Sequence, residues 1–185
     1  AMPWQAKTEC PPWFFEALQE DLDAAFEAEM AATLEAAPMD LRVNTIKAER
    51  DAVLAQLQEE GIKAEAGKRS PYCIRVQGRP QIARHPLYLD GAIEVQDEGS
   101  QMVALAAAPL PGMQVVDYCA GAGGKTLALG ALMQNKGRIV AADVLERRLE
   151  KAKARFRRAG RHNIETHALE TTNGKWMKRH KESFD

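Results

Sequence analysis

The chain has 185 residues, 28% of them charged and 45% hydrophobic, with a formal net charge of -1 and three cysteines. No apolar run approaches the ~20 residues of a membrane span, and no secretory leader pattern is present. Cys10, Cys73 and Cys119 are too widely spaced for a disulfide framework or a metal-ligand set, so a reducing cytoplasm is the expected compartment and no metal is expected.

Charge is unevenly distributed. Residues 1–66 hold 5 basic and 14 acidic side chains, net -9, whereas residues 67–185 hold 20 and 12, net +8. The densest basic stretch lies at 147–161, with Arg147, Arg148, Lys151, Lys153, Arg155, Arg157, Arg158 and Arg161. Such a helix is either a solvated face or a surface for a polyanion such as RNA.

In chain order, Pro11-Pro12 ahead of Trp13-Phe14-Phe15 starts a helix, since proline is tolerated in a first turn. An Ala/Glu-rich helical stretch follows to about Ala37, where Pro38 stops it. Residues 41–46 read as a strand. Residues 50–60 have helical apolar spacing and end at Gly61, a natural helix terminator. Short strands are expected at 62–65 and 72–76, so a small α+β module is expected over residues 1–91. A second domain, 92–185, opens with a strand at 92–96 and a helix over about 97–108. Strands at 113–119, 138–143 and 163–169 then alternate with helices at 124–134 and 146–159, the pattern of a parallel sheet.

The most informative segment is Asp117-Tyr118-Cys119-Ala120-Gly121-Ala122-Gly123-Gly124-Lys125-Thr126. A strand that breaks into glycines and then opens a helix presents free N–H groups and a positive dipole end, which suits an anionic ligand. Two phosphate loops nearly match. A Walker A loop needs a glycine where Cys119 stands, and a dinucleotide fingerprint needs one where Thr126 stands. Asp143 ends the next strand 22 positions after Gly121, where an acid meets ribose hydroxyls in dinucleotide sites; the alternative is an ordinary helix N-terminal charge. Asp117 is suited to orienting the loop or meeting a ligand's ammonium. Together these groups describe a zwitterionic amino acid joined to a nucleoside, which fits S-adenosylmethionine.

At these residues the chain resembles the Sun (nucleolar-protein-like) family of RNA cytosine-C5 methyltransferases, whose cofactor motif reads approximately Asp-x-Cys-Ala-Ala-Pro-Gly-Gly-Lys-Thr. Three further stretches are similar to the family: Pro12-Trp13-Phe14, Leu41-Arg42-Val43-Asn44, and Glu94-Val95-Gln96-Asp97-Glu98-Gly99-Ser100-Gln101. The resemblance implies an α/β fold, an incomplete Rossmann-like methyltransferase sheet of three strands preceded by the small module. It implies that Cys119, Ala120, Gly121, Ala122, Gly123, Gly124 and Lys125 wrap the cofactor, that Asp143 holds its ribose, and that Arg148 and Glu170 lie nearby. Gly121-Ala122 in place of Ala-Pro makes the loop more flexible. Cys119 is expected to line the cofactor or to pack as a compact apolar residue, not to act as the nucleophile, and Cys10 and Cys73 are expected to be structural.

In the family, the nucleophile and the product-releasing cysteine sit in Asp-Ala-Pro-Cys and Thr-Cys-Ser motifs, neither of which occurs here. No catalytic residue is therefore assigned. The 185 residues are expected to be a fragment ending where a fourth strand would begin, to bind cofactor weakly and to be inactive alone. RNA, of ribosomal type, is the implied partner, and the intact enzyme is expected to be a monomer. Two other readings stay open: a non-catalytic RNA-binding protein using the 147–161 helix, and a P-loop nucleotide-binding protein.

Overall fold

A computed structural model describes residues 4–170 and 174–185. The chain forms two compact units, Ala1–Ala37 and Pro38–Asp185. The first contains α1 (Trp4–Lys7), α2 (Pro12–Leu22) and α3 (Phe26–Thr33). Pro12 sits in the first turn of α2, and a short 3-10 turn at Asp23–Ala25 divides the helical stretch that the sequence suggested was continuous. Cys10, Phe26 and Met30 form its core, with Phe15 edge-on to Phe26 at 4.9 Å.

The second unit opens with β1 (Met39–Val43), α4 (Arg50–Glu59), β2 (Ala64–Ala66), β3 (Cys73–Val76), α5 (Pro86–Leu89) and β4 (Ile93–Val95). The four strands make an antiparallel sheet in the order β2-β3-β1-β4. Ile93 lies opposite Val43 and is fully buried in the core of this sheet with Leu41, Val53, Leu57 and Ile74. β4, just past Gly91, completes the core of this sheet.

After α6 (Glu98–Ala107), three parallel strands follow: β5 (Gln114–Asp117), β6 (Arg138–Asp143) and β7 (Ile164–Ala168), in the order β5-β6-β7. They alternate with α7 (Gly124–Leu132) and α8 (Glu146–Arg158), and α9 (Lys175–Arg179) lies near the C-terminus. This is the Rossmann-like arrangement that the strand–helix alternation suggested. β6 is central and buried along nearly its whole length, as expected of a parallel strand covered on both faces. Leu127, Ala141, Leu149, Ala152 and Phe156 join α7 and α8 to it.

Alternation along β1 has a second consequence. Met39, Leu41 and Val43 point to the first sheet's core, so Asp40 and Arg42 point to its other face. Both are nevertheless buried, 2% and 3% exposed, as are Cys73 and Glu94 on the same face. The first sheet therefore has a buried polar side, and every charge on it needs a partner. Among the described residues, no helix is long and apolar enough to cross a membrane.

Candidate cofactor site

β5 ends at Asp117, and residues 118–123 turn back into α7. Gly121 (φ +55°) and Gly123 (φ +78°) take left-handed backbone that other residues rarely adopt. Gly123 is also fixed by packing, since a Cβ there would lie 2.4 Å from the Phe156 ring. Three loop amides are engaged: Ala120 donates to the Ala142 carbonyl (2.9 Å), Gly121 to Asp143 Oδ2 (2.8 Å) and Gly123 to the Ala120 carbonyl (2.8 Å). The amides of Ala122, Gly124, Lys125 and Thr126 have no partner among the described residues, and no side chain caps α7. They form a row of four donors at a helix N-terminus.

Asp143 is 5% exposed and accepts two backbone N–H groups, from Gly121 and from Leu145 (2.8 Å to Oδ1). It holds the loop against the end of β6. Asp117, for which the sequence suggests orienting the loop or meeting a ligand's ammonium, accepts the Thr126 hydroxyl at 2.6 Å and braces the start of α7. Each Asp143 oxygen keeps a second lone pair for a ligand hydroxyl.

The other expected site residues divide. Cys119 is exposed, so it does not pack as a buried apolar residue. Ala120 is buried, while Ala122 and Lys125 face solvent. The Arg148 guanidinium lies 3.6–3.8 Å from the Cβ position of Gly121, over the loop. Glu170, two residues beyond β7, lines a cavity of about 590 Å³ with His167, Lys175 and Trp176. Among the described residues no hydrogen bond or ion pair joins it to the loop. Trp176 is stacked between His167 and His180, at 4.5 and 4.3 Å, so both its faces are covered.

The motifs at 41–44 and 94–96 lie at the seam between the two sheets. Asn44 donates to the carbonyls of Gly91 (2.9 Å) and Ala159 (3.0 Å), and its Oδ1 accepts Arg161 at 2.6 Å. Arg42 donates to Gln96 Oε1 and to the Gly124 carbonyl (2.7 Å). Glu94, 1% exposed, takes Arg155 on one oxygen (2.9 Å) and Arg158 on the other. Burial pushes the Arg42 guanidinium down to about 10, and the Glu94 carboxylate opposes that fall. Arg42 stays charged at neutral pH.

The basic run at 147–161 therefore divides. Arg155, Arg158 and Arg161 are committed internally, and Arg158 also lies over the Tyr88 ring at 3.9 Å. Arg147, Arg148, Lys151 and Arg157 remain exposed. The signal missed in the sequence is period two: an acid at 94 and a base at 42 both alternate away from apolar neighbours, which places them on the concealed face.

A second buried cluster joins Asp40, Cys73 and Glu98, whose ligand atoms lie within 4.8 Å of one another. Its acceptors are already committed. Asp40 takes Arg75 on both oxygens (2.8 and 2.9 Å), and Glu98 Oε1 takes the amides of Arg69 and Ser70 (2.7 and 3.0 Å). Burial, with the neighbouring carboxylates, pushes the Cys73 thiol up to about 12, so it is an inert structural residue. Burial raises Asp40, but the Arg75 guanidinium and the Glu98 amide outweigh it and hold the carboxyl below its ordinary value; the two amides do the same for Glu98. Carboxyls depressed in the folded state stabilise above their unfolded values, and that contribution is lost as pH falls through the folded ones. Removing Arg75 leaves burial dominant at Asp40. Acid unfolding of Arg75→Gln, followed by circular dichroism, is expected at a higher pH than that of the unaltered chain; an unchanged midpoint would show that the pair carries no such linkage.

Known proteins share both halves of this arrangement. Residues 10–83 match the model of the Methyltr_RsmF/B-like, ferredoxin-like domain, and residues 104–185 match the model of the 16S rRNA methyltransferase RsmB/F. Ribosomal RNA small subunit methyltransferase B of Proteus mirabilis is 31% identical over 152 residues, 82% of this chain and 36% of that protein. The 25S rRNA (cytosine-C(5))-methyltransferase NSUN5 of Arabidopsis thaliana is 32% identical over 128 residues, 69% of this chain and 22% of that protein. The crystal structure of a methyltransferase homolog protein from Pyrococcus horikoshii superimposes with a TM-score of 0.82 at 26% identity, over 89% of this chain and 54% of that one. This chain spans about a third or less of the length of these curated relatives.

Proposed function

This chain belongs to the Sun-like RsmB/F methyltransferase family, and we propose on that premise that it holds S-adenosylmethionine for methylation of cytosine C5 in ribosomal RNA. The observation that carries the cofactor reading is the Asp143 carboxylate bonded to the Gly121 amide at 2.8 Å. In a phosphate-cradling loop that amide would face the ligand. Here it faces a carboxylate, with Asp117 close behind, and two acids beside the loop repel a polyphosphate. The same groups suit an amino acid joined to a nucleoside.

The residues present fit that ligand. The amides of Ala122, Gly124, Lys125 and Thr126 offer donors for a carboxylate, aided by the α7 dipole. Asp117 has one oxygen with no partner among the described residues, suited to an ammonium. The free lone pairs of Asp143 suit vicinal hydroxyls, and Arg148 covers the loop from outside. When bound, the cofactor supplies an electrophilic methyl group on a sulfonium. The protein's share is to orient that group and to keep the loop ordered.

Nucleophilic addition to a pyrimidine requires a reactive thiol, and none of the three cysteines suits that task. Cys10 and Cys73 are buried, and Cys119 belongs to the cofactor loop. We assign this chain the cofactor-holding share of the reaction, with no methyl transfer by the 185 residues alone. The C5 position and the ribosomal substrate are supported by the names of the relatives. A non-catalytic RNA-binding role is less well supported, because three of the arginines that suggested it are internal.

Titration of the chain with S-adenosylhomocysteine and with magnesium-ATP tests the reading. The nucleoside amino acid is expected to bind and the triphosphate not to bind; the reverse order would defeat it. Tritium transfer from labelled cofactor into RNA by this chain alone would defeat the division of labour.

A further inference from the structure

The two carbonyls on either side of Gly123 are each held by an arginine that also grips the end of the first sheet. Arg155 on α8 places Nη1 on the Ala122 carbonyl at 2.7 Å and Nη2 on Glu94 Oε2 at 2.9 Å. Arg42 on β1 places Nη1 on the Gly124 carbonyl at 2.7 Å and on Gln96 Oε1. Glu94 belongs to β4, and Gln96 follows it directly. Both guanidiniums thus span from the first sheet to the loop.

That arrangement fixes peptide direction. A peptide whose carbonyl is pinned on one side presents its amide on the other: Arg42 on the Gly124 carbonyl aims the unpartnered Lys125 N–H, and Arg155 on the Ala122 carbonyl holds the peptide whose Gly123 N–H closes the turn on the Ala120 carbonyl at 2.8 Å. Gly123, between the two carbonyls, is blocked from behind by Phe156. With Gly121 and Gly123 both permissive, the loop has few restraints of its own, and the two arginines supply them. Lysine cannot reproduce the restraint, since a single ammonium does not offer two donors in a fixed fork.

We propose that Arg42 and Arg155 are positioning residues for the cofactor loop, through which the first sheet sets the affinity for the adenosyl ligand. This rests on the cofactor reading above. The full chain and its Arg155→Lys and Arg158→Lys forms provide the comparison, because Arg158 shares Glu94 but touches no loop atom among the described residues. Two quantities are read: exchange of the Gly121, Gly123 and Leu127 amides by nuclear magnetic resonance without ligand, and the dissociation constant for S-adenosylhomocysteine.

Arg155→Lys is expected to speed exchange at those amides and to weaken binding, each about tenfold, as loss of one charge-assisted hydrogen bond implies. Arg158→Lys is expected to lower the melting temperature comparably and to leave both readouts within about twofold, the range of typical additive errors. Arg42→Lys provides an independent second variant with the same expected signature. Equal effects from Arg155→Lys and Arg158→Lys, or no change in loop exchange with Arg155→Lys, overturn the inference. An unaltered chain that ignores the ligand overturns the proposed function; a selective exchange change in that case supports the restraint on the loop alone.

Discussion

Asp143→Ala is expected to abolish measurable S-adenosylhomocysteine binding while leaving most of the fold in place. The side chain is 5% exposed, and it satisfies the amides of Gly121 and Leu145 on opposite oxygens. Removing it leaves two donors without acceptors, at roughly 1–3 kcal/mol each. The cost falls where the loop joins β6, so it appears as loop disorder more than as global unfolding. A loss of about 3 kcal/mol in binding is roughly a hundredfold in the dissociation constant. Asp143→Asn is the sharper probe. Its amide nitrogen must face one of the two N–H groups, so it keeps shape and loses one bond, and an intermediate affinity is expected. Calorimetric titration of the three forms checks the order; binding by Asp143→Ala at the affinity of the unaltered chain would remove Asp143 from the site.

The largest effect on stability is expected at Glu94. This carboxylate is 1% exposed and receives Arg155 and Arg158, and its field also supports the buried Arg42 against Arg155 and Arg161. One anion thus serves three cations, Arg155, Arg158 and Arg42. Breaking a buried pair by deleting one partner costs about 3–5 kcal/mol, because the remaining charge is left without compensation. Glu94→Ala is expected to fall in that range in urea denaturation, with an unchanged dependence on denaturant. Glu94→Gln keeps the hydrogen-bonding shape without the charge and is expected to be milder. Combining Glu94→Ala with Arg155→Met is expected to cost less than the two changes summed, since the cation goes with its partner. A loss below about 0.5 kcal/mol for Glu94→Ala would place these pairs with ordinary surface ion pairs.

Much of this architecture was legible in the sequence, for identifiable reasons. The parallel sheet follows from the alternation of β5, α7, β6, α8 and β7, each bounded by glycine or a polar turn. The glycine loop was legible because a strand, a cluster of small residues and a helix have few other uses. Less legible was what each acid does. Asp117 and Asp143 both end strands, and only the fold shows that the loop amide reaches the second. Cys119 was ambiguous for a similar reason, since residue type does not fix exposure.

The pairing of β4 with β1 and the fate of the basic helix were hidden for a different reason. Both depend on pairings between residues 42, 94 and 155, which are remote in sequence. A surface-like composition at 147–161 conceals a buried edge, because arginine stems cover apolar surface while their heads find acceptors. Chain-order reading sees eight cations in a row. The helix turns Arg155 and Arg158 toward Glu94, and Arg161, just past its end, reaches Asn44.

The shared polar seam also bears on how such a protein diversifies. Exchange of whole modules between relatives is easiest where few interactions cross the joint, and here the joint carries three arginines balanced by a single acid. A ferredoxin-like sheet imported from elsewhere would have to bring Glu94, Gln96 and the Arg42 position with it, or strand the guanidiniums of its new neighbour. Grafting either sheet without these partners is therefore expected to lower stability more than an exchange of outer-surface residues.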